Sequence, residues 1–179
     1  GVNKLFGASH VIIPDRIEAG TYLMAAIATN SLVEIGPVIP EHLTIVLKRL
    51  TDAGAKIEIF ERLGQKYFRT KGHKALQAID TDTRPYPGFP TDLQSPYAVL
   101  MTQAQGQTHI YETMFEGRFG YLEELDSMQA KINILNPHEL LVNGPTMLMG
   151  SEISSKDIKN LYSIYLKTYL LCLETSSTV

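Results

Sequence analysis

Apolar and polar positions along this chain change period in a fixed order, and the order comes round more than once. Leu43, Val46, Leu47 and Leu50 fall at i, i+3, i+4 and i+7, while Glu41, Lys48 and Arg49 lie off that stripe. This predicts an amphipathic helix with one buried face. Gly54 stands where a helix C-cap belongs, and "KIEIFER" after it alternates with the period of a half-buried strand. Three other stretches, "YLMAAIA", "YAVLM" and "YSIYL", are apolar most of the way round a helix. Such helices are expected inside a domain, with sheets outside them.

Laid over itself, the sequence gives the same series twice and starts it a third time. The first unit runs through Asp15-Arg16-Ile17-Glu18, an apolar helix to Thr29, a strand "LVEIG", the helix "PEHLTIVLKRLTDAG", and the strands "AKIEIF" and "KYFRT". The second runs through Asp92-Leu93-Gln94, a helix to about Ala104, "THIYETM", a helix "RFGYLEELDSM", then "AKINIL" and "ELLVNG". Asp15 precedes Ala55 by 40 residues and Asp92 precedes Ala130 by 38, a spacing that fits one duplicated unit. In the third copy Ile158, Leu161, Tyr162, Tyr165, Leu166 and Tyr169 repeat the helical period, with Asp157 placed to cap it.

Each unit thus reads strand, helix, strand, helix, strand, strand. The expected organisation is an α/β domain over 1–179, with repeat one at about 8–72, repeat two at about 75–147 and the start of repeat three at about 148–179. The third copy stops within a strand, which leaves a sheet edge open and leads us to expect a fragment.

Composition narrows the function classes. The 179 residues are 44% hydrophobic and 20% charged, enough to bury a core as one domain or two small ones. The net charge of −3 comes with no run of Lys or Arg, so neither nucleic acid nor an anionic membrane is favoured as partner. No apolar stretch reaches the roughly 18 residues of a membrane span, and the N-terminus lacks a secretory pattern. The single cysteine, Cys172, forms no internal disulfide, which fits a reducing cytoplasm. The five histidines are scattered, with no pair at i, i+3 or i, i+4, and no phosphate loop of the Walker or dinucleotide type is present. No metal or cofactor is expected.

One stretch is not explained by the repeat. "PYPGFPTDLQ", residues 85–94, carries three prolines and a glycine ahead of Asp92, and the other two copies lack such a loop. Prolines hold φ near −65° and remove amide donors, so the loop is a stiff, extended lead-in that limits where the carboxylate points. Asp15, Asp92 and Asp157 occupy equivalent places beside helix starts, and on the residues alone capping accounts for all three. A lone Arg such as Arg118 reads as solvated or paired with Glu116, and Met114 as strand packing. Arg16 and Glu18 read as a charge pair or interdomain contact.

Together with "PDRIEAGTYL" (14–23) and "ETMFEGRF" (112–119), the proline loop resembles the UDP-N-acetylglucosamine enolpyruvyl transferase family, also called UDP-N-acetylglucosamine 1-carboxyvinyltransferase. The resemblance covers nearly the whole chain in the same motif order. It implies an inside-out α/β barrel of two similar domains, of which this chain is most of one, with about two and a half βαβαββ repeats. It also implies transfer of enolpyruvyl from phosphoenolpyruvate to the 3-hydroxyl of UDP-N-acetylglucosamine, in cytoplasmic peptidoglycan synthesis. In that comparison Asp92 matches the general base, and Arg118 an Arg close to the nucleotide-sugar and the base. Met114 matches the position whose backbone contacts the amino sugar. Thr91 adjoins the base, and its hydroxyl is left with either ligand or backbone to bond.

The family's Lys-Asn pair, cysteine-bearing loop and Arg-Gly-Tyr segment have no counterpart here, and Cys172 does not match the catalytic cysteine. The missing second domain is therefore an implied partner, and these residues alone are expected to be inactive. Two positions depart from the family pattern: Gly117 stands where Asn is usual, and Asp157-Ile158-Lys159 where Asp-Leu-Arg is usual. Two rivals stay open. One is a relative of 5-enolpyruvylshikimate-3-phosphate synthase, against which the proline loop weighs. The other is a non-catalytic, half-length module that binds nucleotide-sugar or assists assembly.

Overall fold

The computed structural model describes residues 1–150. Asp157, Lys159, Cys172 and the third-copy helix lie outside the described residues. The elements are α1 (Arg16–Ala28), β1 (Glu34–Val38), α2 (Thr44–Asp52), β2 (Lys56–Arg62), β3 (Gln65–Lys71), β4 (Thr81–Asp82), α3 (Gln94–Met101), β5 (Gly106–Tyr111), α4 (Leu122–Ser127), β6 (Lys131–Asn136) and β7 (Glu139–Gly144). Short 3-10 turns, Pro40–Leu43 and Thr91–Leu93, lead into α2 and α3.

Two sheets form. One has the order β1-β3-β2 and is antiparallel throughout; the other has the order β4-β5-β7-β6, with β4 parallel to β5 and the rest antiparallel. The β2–β3 hairpin closes on Leu63 and Gly64, both at positive φ, as a two-residue loop between right-twisted strands requires. At the end of α2, Gly54 takes φ +97°, its amide bonds Thr51 and the Ala55 amide bonds Leu50. Those paired bonds satisfy the last carbonyls of the helix, so the glycine is the C-terminal cap that the sequence suggests.

The all-round apolar helices are inside. Every residue of α3 is buried, and α1 buries Leu23, Met24 and Ile27 against α3 and the first sheet. Phe68 and Val38 of the first sheet, and Ile110, Leu140 and Val142 of the second, cover this helical pair with their inward faces. Close approach depends on Gly20, where a Cβ would lie 2.6 Å from Leu93 Cδ1. Asp15 caps α1 as expected, accepting from the amides of Ile17 (2.7 Å) and Glu18 (3.3 Å).

Two elements differ from expectation. The strand expected ahead of α1 is not formed: residues 1–15 hold none, and Val11, Ile12 and Ile13 are exposed. In the second unit β4 gains its ladder by lying parallel to β5, whereas the corresponding edge beside β1 carries no partner among the described residues. The helix expected over 118–128 is also shortened to Leu122–Ser127, because Gly117 at φ +69° starts a turn in which the Phe119 amide bonds Gly117.

Candidate active site

The proline loop leaves β4 and is tied at both ends before it reaches Asp92. Arg84 donates its amide to Phe89 (2.8 Å), Gly88 to Pro85 (2.8 Å) and Leu93 to Pro90 (3.0 Å). Phe89 is buried, with its ring 5.2 Å from that of Tyr97 on α3. A Cβ at Gly88 would sit 2.4 Å from the Arg84 Cβ, so the tight turn admits no larger residue. The loop is therefore fixed at its tip by local bonds and at its end by an aromatic anchor. Thr91 and Asp92 follow directly, in the 3-10 turn that opens α3.

Across from them, the segment after β5 supplies Arg118. Its Nη2 donates to Asp92 Oδ1 at 2.6 Å and its Nη1 to Thr91 Oγ1 at 2.8 Å, with the guanidinium 5.2 Å from the Phe115 ring. Asp92 and Arg118 keep 30% and 25% of their side chains exposed, so the pair is sheltered yet reachable. Arg118 is thus paired with Asp92, which corrects the solvated or Glu116-paired reading of that residue. Met114 lies beyond the end of β5 and is exposed, so strand packing does not account for it either. Gly117 at φ +69° occupies a region that Asn also tolerates, so its departure from the family's Asn leaves the turn available.

Behind this pair is a residue that sequence reasoning did not single out. Glu112, fully buried, receives five donors: Thr83 Oγ1 (2.7 Å), the Met114 amide (2.8 Å) and the Phe115 amide (3.2 Å) on Oε1, and Thr91 Oγ1 (2.8 Å) and Gln94 Nε2 (3.3 Å) on Oε2. His138 pins the same residue's backbone from the turn between β6 and β7, with Nδ1 at 2.8 Å from the Glu112 carbonyl. The Tyr121 hydroxyl is buried close by and makes no hydrogen bond among the described residues. Burial, and then the Glu112 carboxylate, push its ionisation far up, so it remains a neutral phenol. The signal that could have found Glu112 is its phase in "THIYE": it falls on the inward face with Thr108 and Ile110, where a buried carboxylate requires partners.

Arg16 is placed apart from the Asp92–Arg118 pair, with its guanidinium 5.4 Å from the ring of Tyr86 in the proline loop. His42 meets the same ring edge-on at 6.2 Å, and these residues line an open hollow with Ile12, Ile13 and Ile17. The described residues contain no cluster of three or more His, Cys, Asp or Glu that could hold a metal ion. No helix among them is long and apolar enough to cross a membrane.

Chemically, the arrangement is a partly exposed carboxylate bonded by a cation, itself steadied by the Thr91 hydroxyl, at the end of a stiff loop. A carboxylate so placed can take a proton from a bound hydroxyl within roughly 2.6–3.2 Å. Comparisons with known proteins bear on the family and the fold. The profile of the family described as EPSP synthase (3-phosphoshikimate 1-carboxyvinyltransferase) matches residues 1–166. UDP-N-acetylglucosamine 1-carboxyvinyltransferase of Prochlorococcus marinus (strain MIT 9312) is 43% identical over 89% of this chain and 34% of its own length. UDP-N-acetylglucosamine 1-carboxyvinyltransferase 2 of Geobacillus kaustophilus (strain HTA426) is 40% identical over 89% of this chain and 36% of its own. The chain therefore spans about a third of the length of the curated relatives it matches. Among solved structures, the enolpyruvyl transferase NikO from Streptomyces tendae superposes with a TM-score of 0.77 at 24% identity, over 87% of this chain and 36% of that one. EPSP synthase from Acinetobacter baumannii gives 0.62 at 12% identity, over 88% of this chain and 37% of that one. The fold is thus that of the enolpyruvyl transferases, present here as a partial domain.

Proposed function

The chain belongs to the EPSP synthase (3-phosphoshikimate 1-carboxyvinyltransferase) family, and on that premise we propose that it forms the base-bearing wall of a UDP-N-acetylglucosamine 1-carboxyvinyltransferase. The observation that carries this reading is Asp92, held by Arg118 at 2.6 Å at the end of the anchored proline loop. The relatives at about 40% identity, all named for the sugar nucleotide, support that substrate over shikimate 3-phosphate.

In this reading the 3-hydroxyl of UDP-N-acetylglucosamine lies against Asp92, which takes its proton as the oxygen bonds the central carbon of phosphoenolpyruvate. The methylene carbon gains a proton from an acid on the second domain. Loss of a proton from that carbon and of phosphate from the central carbon then restores the double bond. Arg118 orients Asp92 and offers a cation to the bound sugar or phosphate. The carbonyl of Met114 faces the amino sugar, and Thr91 links the buried Glu112 to the Arg118 cation. Closure of the second domain excludes water from the cleft. The setting is cytoplasmic peptidoglycan synthesis.

The paired element series over 16–71 and 81–144 supports repeats at about 8–72 and 75–147, with a third beginning near 148. Exposed Ile12, Ile13, Ile134, Leu135 and Met147 support a longer protein that covers these surfaces. The test is phosphate release by a full-length protein carrying these residues. Release with UDP-N-acetylglucosamine and none with shikimate 3-phosphate is expected; the reverse preference sinks the substrate assignment, and tight sugar binding without turnover leaves the non-catalytic module.

A further inference from the structure

We propose that Glu112 is the positioning residue of this site, setting the hydrogen-bond direction of Thr91 and through it holding Arg118 against Asp92. The inference rests on the carboxyvinyltransferase reading for its kinetic arm, while the geometry stands on its own. A carboxylate is acceptor-only, so Thr91 must donate its single hydroxyl hydrogen to Glu112 Oε2 at 2.8 Å. The lone pairs of that hydroxyl are then turned outward, where Arg118 Nη1 donates to them at 2.8 Å. Because the guanidinium is a planar fork, fixing Nη1 fixes Nη2, which reaches Asp92 Oδ1 at 2.6 Å. Glu112 does not meet solvent, so it acts on the pair through the groups that donate to it, Thr91 first among them.

The same carboxylate orders the other side of the site. Its Oε1 accepts from the amides of Met114 and Phe115. The Met114–Phe115 peptide is planar and trans, so the Met114 carbonyl points the opposite way from the Phe115 amide and hence away from Glu112. One buried group therefore sets a cation–carboxylate pair and an outward carbonyl together. It gathers them from β4, the start of α3 and the end of β5, through residues 29, 21 and 18 positions from it in sequence.

Replacing Glu112 by Gln keeps the shape of the side chain but brings an NH2 into the cradle. The two backbone amides cannot reverse, so the Gln carbonyl stays with them and the NH2 meets Thr91 and Gln94. Thr91 then loses the acceptor that fixes its hydrogen and shares its lone pairs between the new NH2 and Arg118, so the direction of the Arg118 bond is no longer set.

The experiment uses the full-length protein with Glu112→Gln, Thr91→Val and the double variant. It reads kcat and KM for each substrate, together with the guanidinium signals of Arg118 in selectively 15N-labelled protein. Both single variants are expected to lower kcat by about 100-fold, the scale of a misplaced catalytic group. The double variant should lose no more than either, because both break one chain of bonds. The separate, slowly averaging Nη signals of Arg118 in the wild type should merge in all three. Additive losses in kcat, or Arg118 signals unmoved in Glu112→Gln, overturn the proposal. If the wild type releases no phosphate while the signals merge as expected, the transferase reading fails and the positioning chain stands. If Glu112→Gln does not fold, Thr91→Val decides through the signals alone, since it removes the same link without placing an amide in the buried cradle.

Discussion

Arg118 carries two bonds from one planar group, to Thr91 and to Asp92. A lysine at that position has a single flexible nitrogen and cannot span both acceptors in fixed geometry. Arg118→Lys in the full-length protein is therefore expected to keep the positive charge and still lose about 100-fold in kcat, measured by phosphate release. A loss under threefold means that charge alone suffices there. At this scale the sequence singled out Asp92, Arg118, Met114 and Thr91 through a motif whose order is specific, and the fold brings Asp92, Arg118 and Thr91 together. Glu112 was passed over, because a lone Glu is usually solvent-facing even where its phase with Thr108 and Ile110 turns it inward. Only the folded chain shows Thr83, Thr91 and Gln94 converging on it.

Elements meet in two places where stability is testable. At the α1–α3 crossing, a methyl on Gly20 would press Leu93 Cδ1 at 2.6 Å. Gly20→Ala is expected to destabilise by about 1–3 kcal/mol, the usual cost of overpacking a full core, read as a lowered urea midpoint; an unchanged midpoint contradicts the tight crossing. On the outer face of the first sheet, Arg69 lies between Glu34 on β1 and Glu58 on β2, and Arg62 adds a second bond to Glu34. Hydrogen bonds from Arg69 and then Arg62 hold the Glu34 carboxyl below its usual 4.5. As pH falls through this range the unfolded chain takes up the proton first, so the contribution of Glu34 is present above about 4.5 and is lost below it. Both partners are exposed, so the effect is small. Unfolding midpoints of the wild type should fall more steeply between about pH 5 and about pH 3 than those of Glu34→Gln; parallel curves contradict the pairing. Periodicity placed α2 and both hairpins well, because their apolar positions face one side. The strand expected ahead of α1 was not formed, since a strand needs a partner, and periodicity does not supply one.

At the scale of the molecule, the described residues set inner helices beneath outer sheets, with a sheltered acid–cation pair at the end of a stiff loop. Its fold was readable from the repeat and the all-round apolar helices, since both patterns survive without knowledge of the rest of the protein. Its chemistry was readable only through the motifs, since the repeat alone explains an Asp beside each helix start as a cap. The most direct measurement is phosphate release from phosphoenolpyruvate and UDP-N-acetylglucosamine by the full-length protein, wild type against Asp92→Asn. A general base contributes roughly 10²–10⁴-fold; a loss of that size, with the fold retained by circular dichroism, is the predicted result. A near-wild-type rate for Asp92→Asn would contradict the assignment of Asp92 as the base.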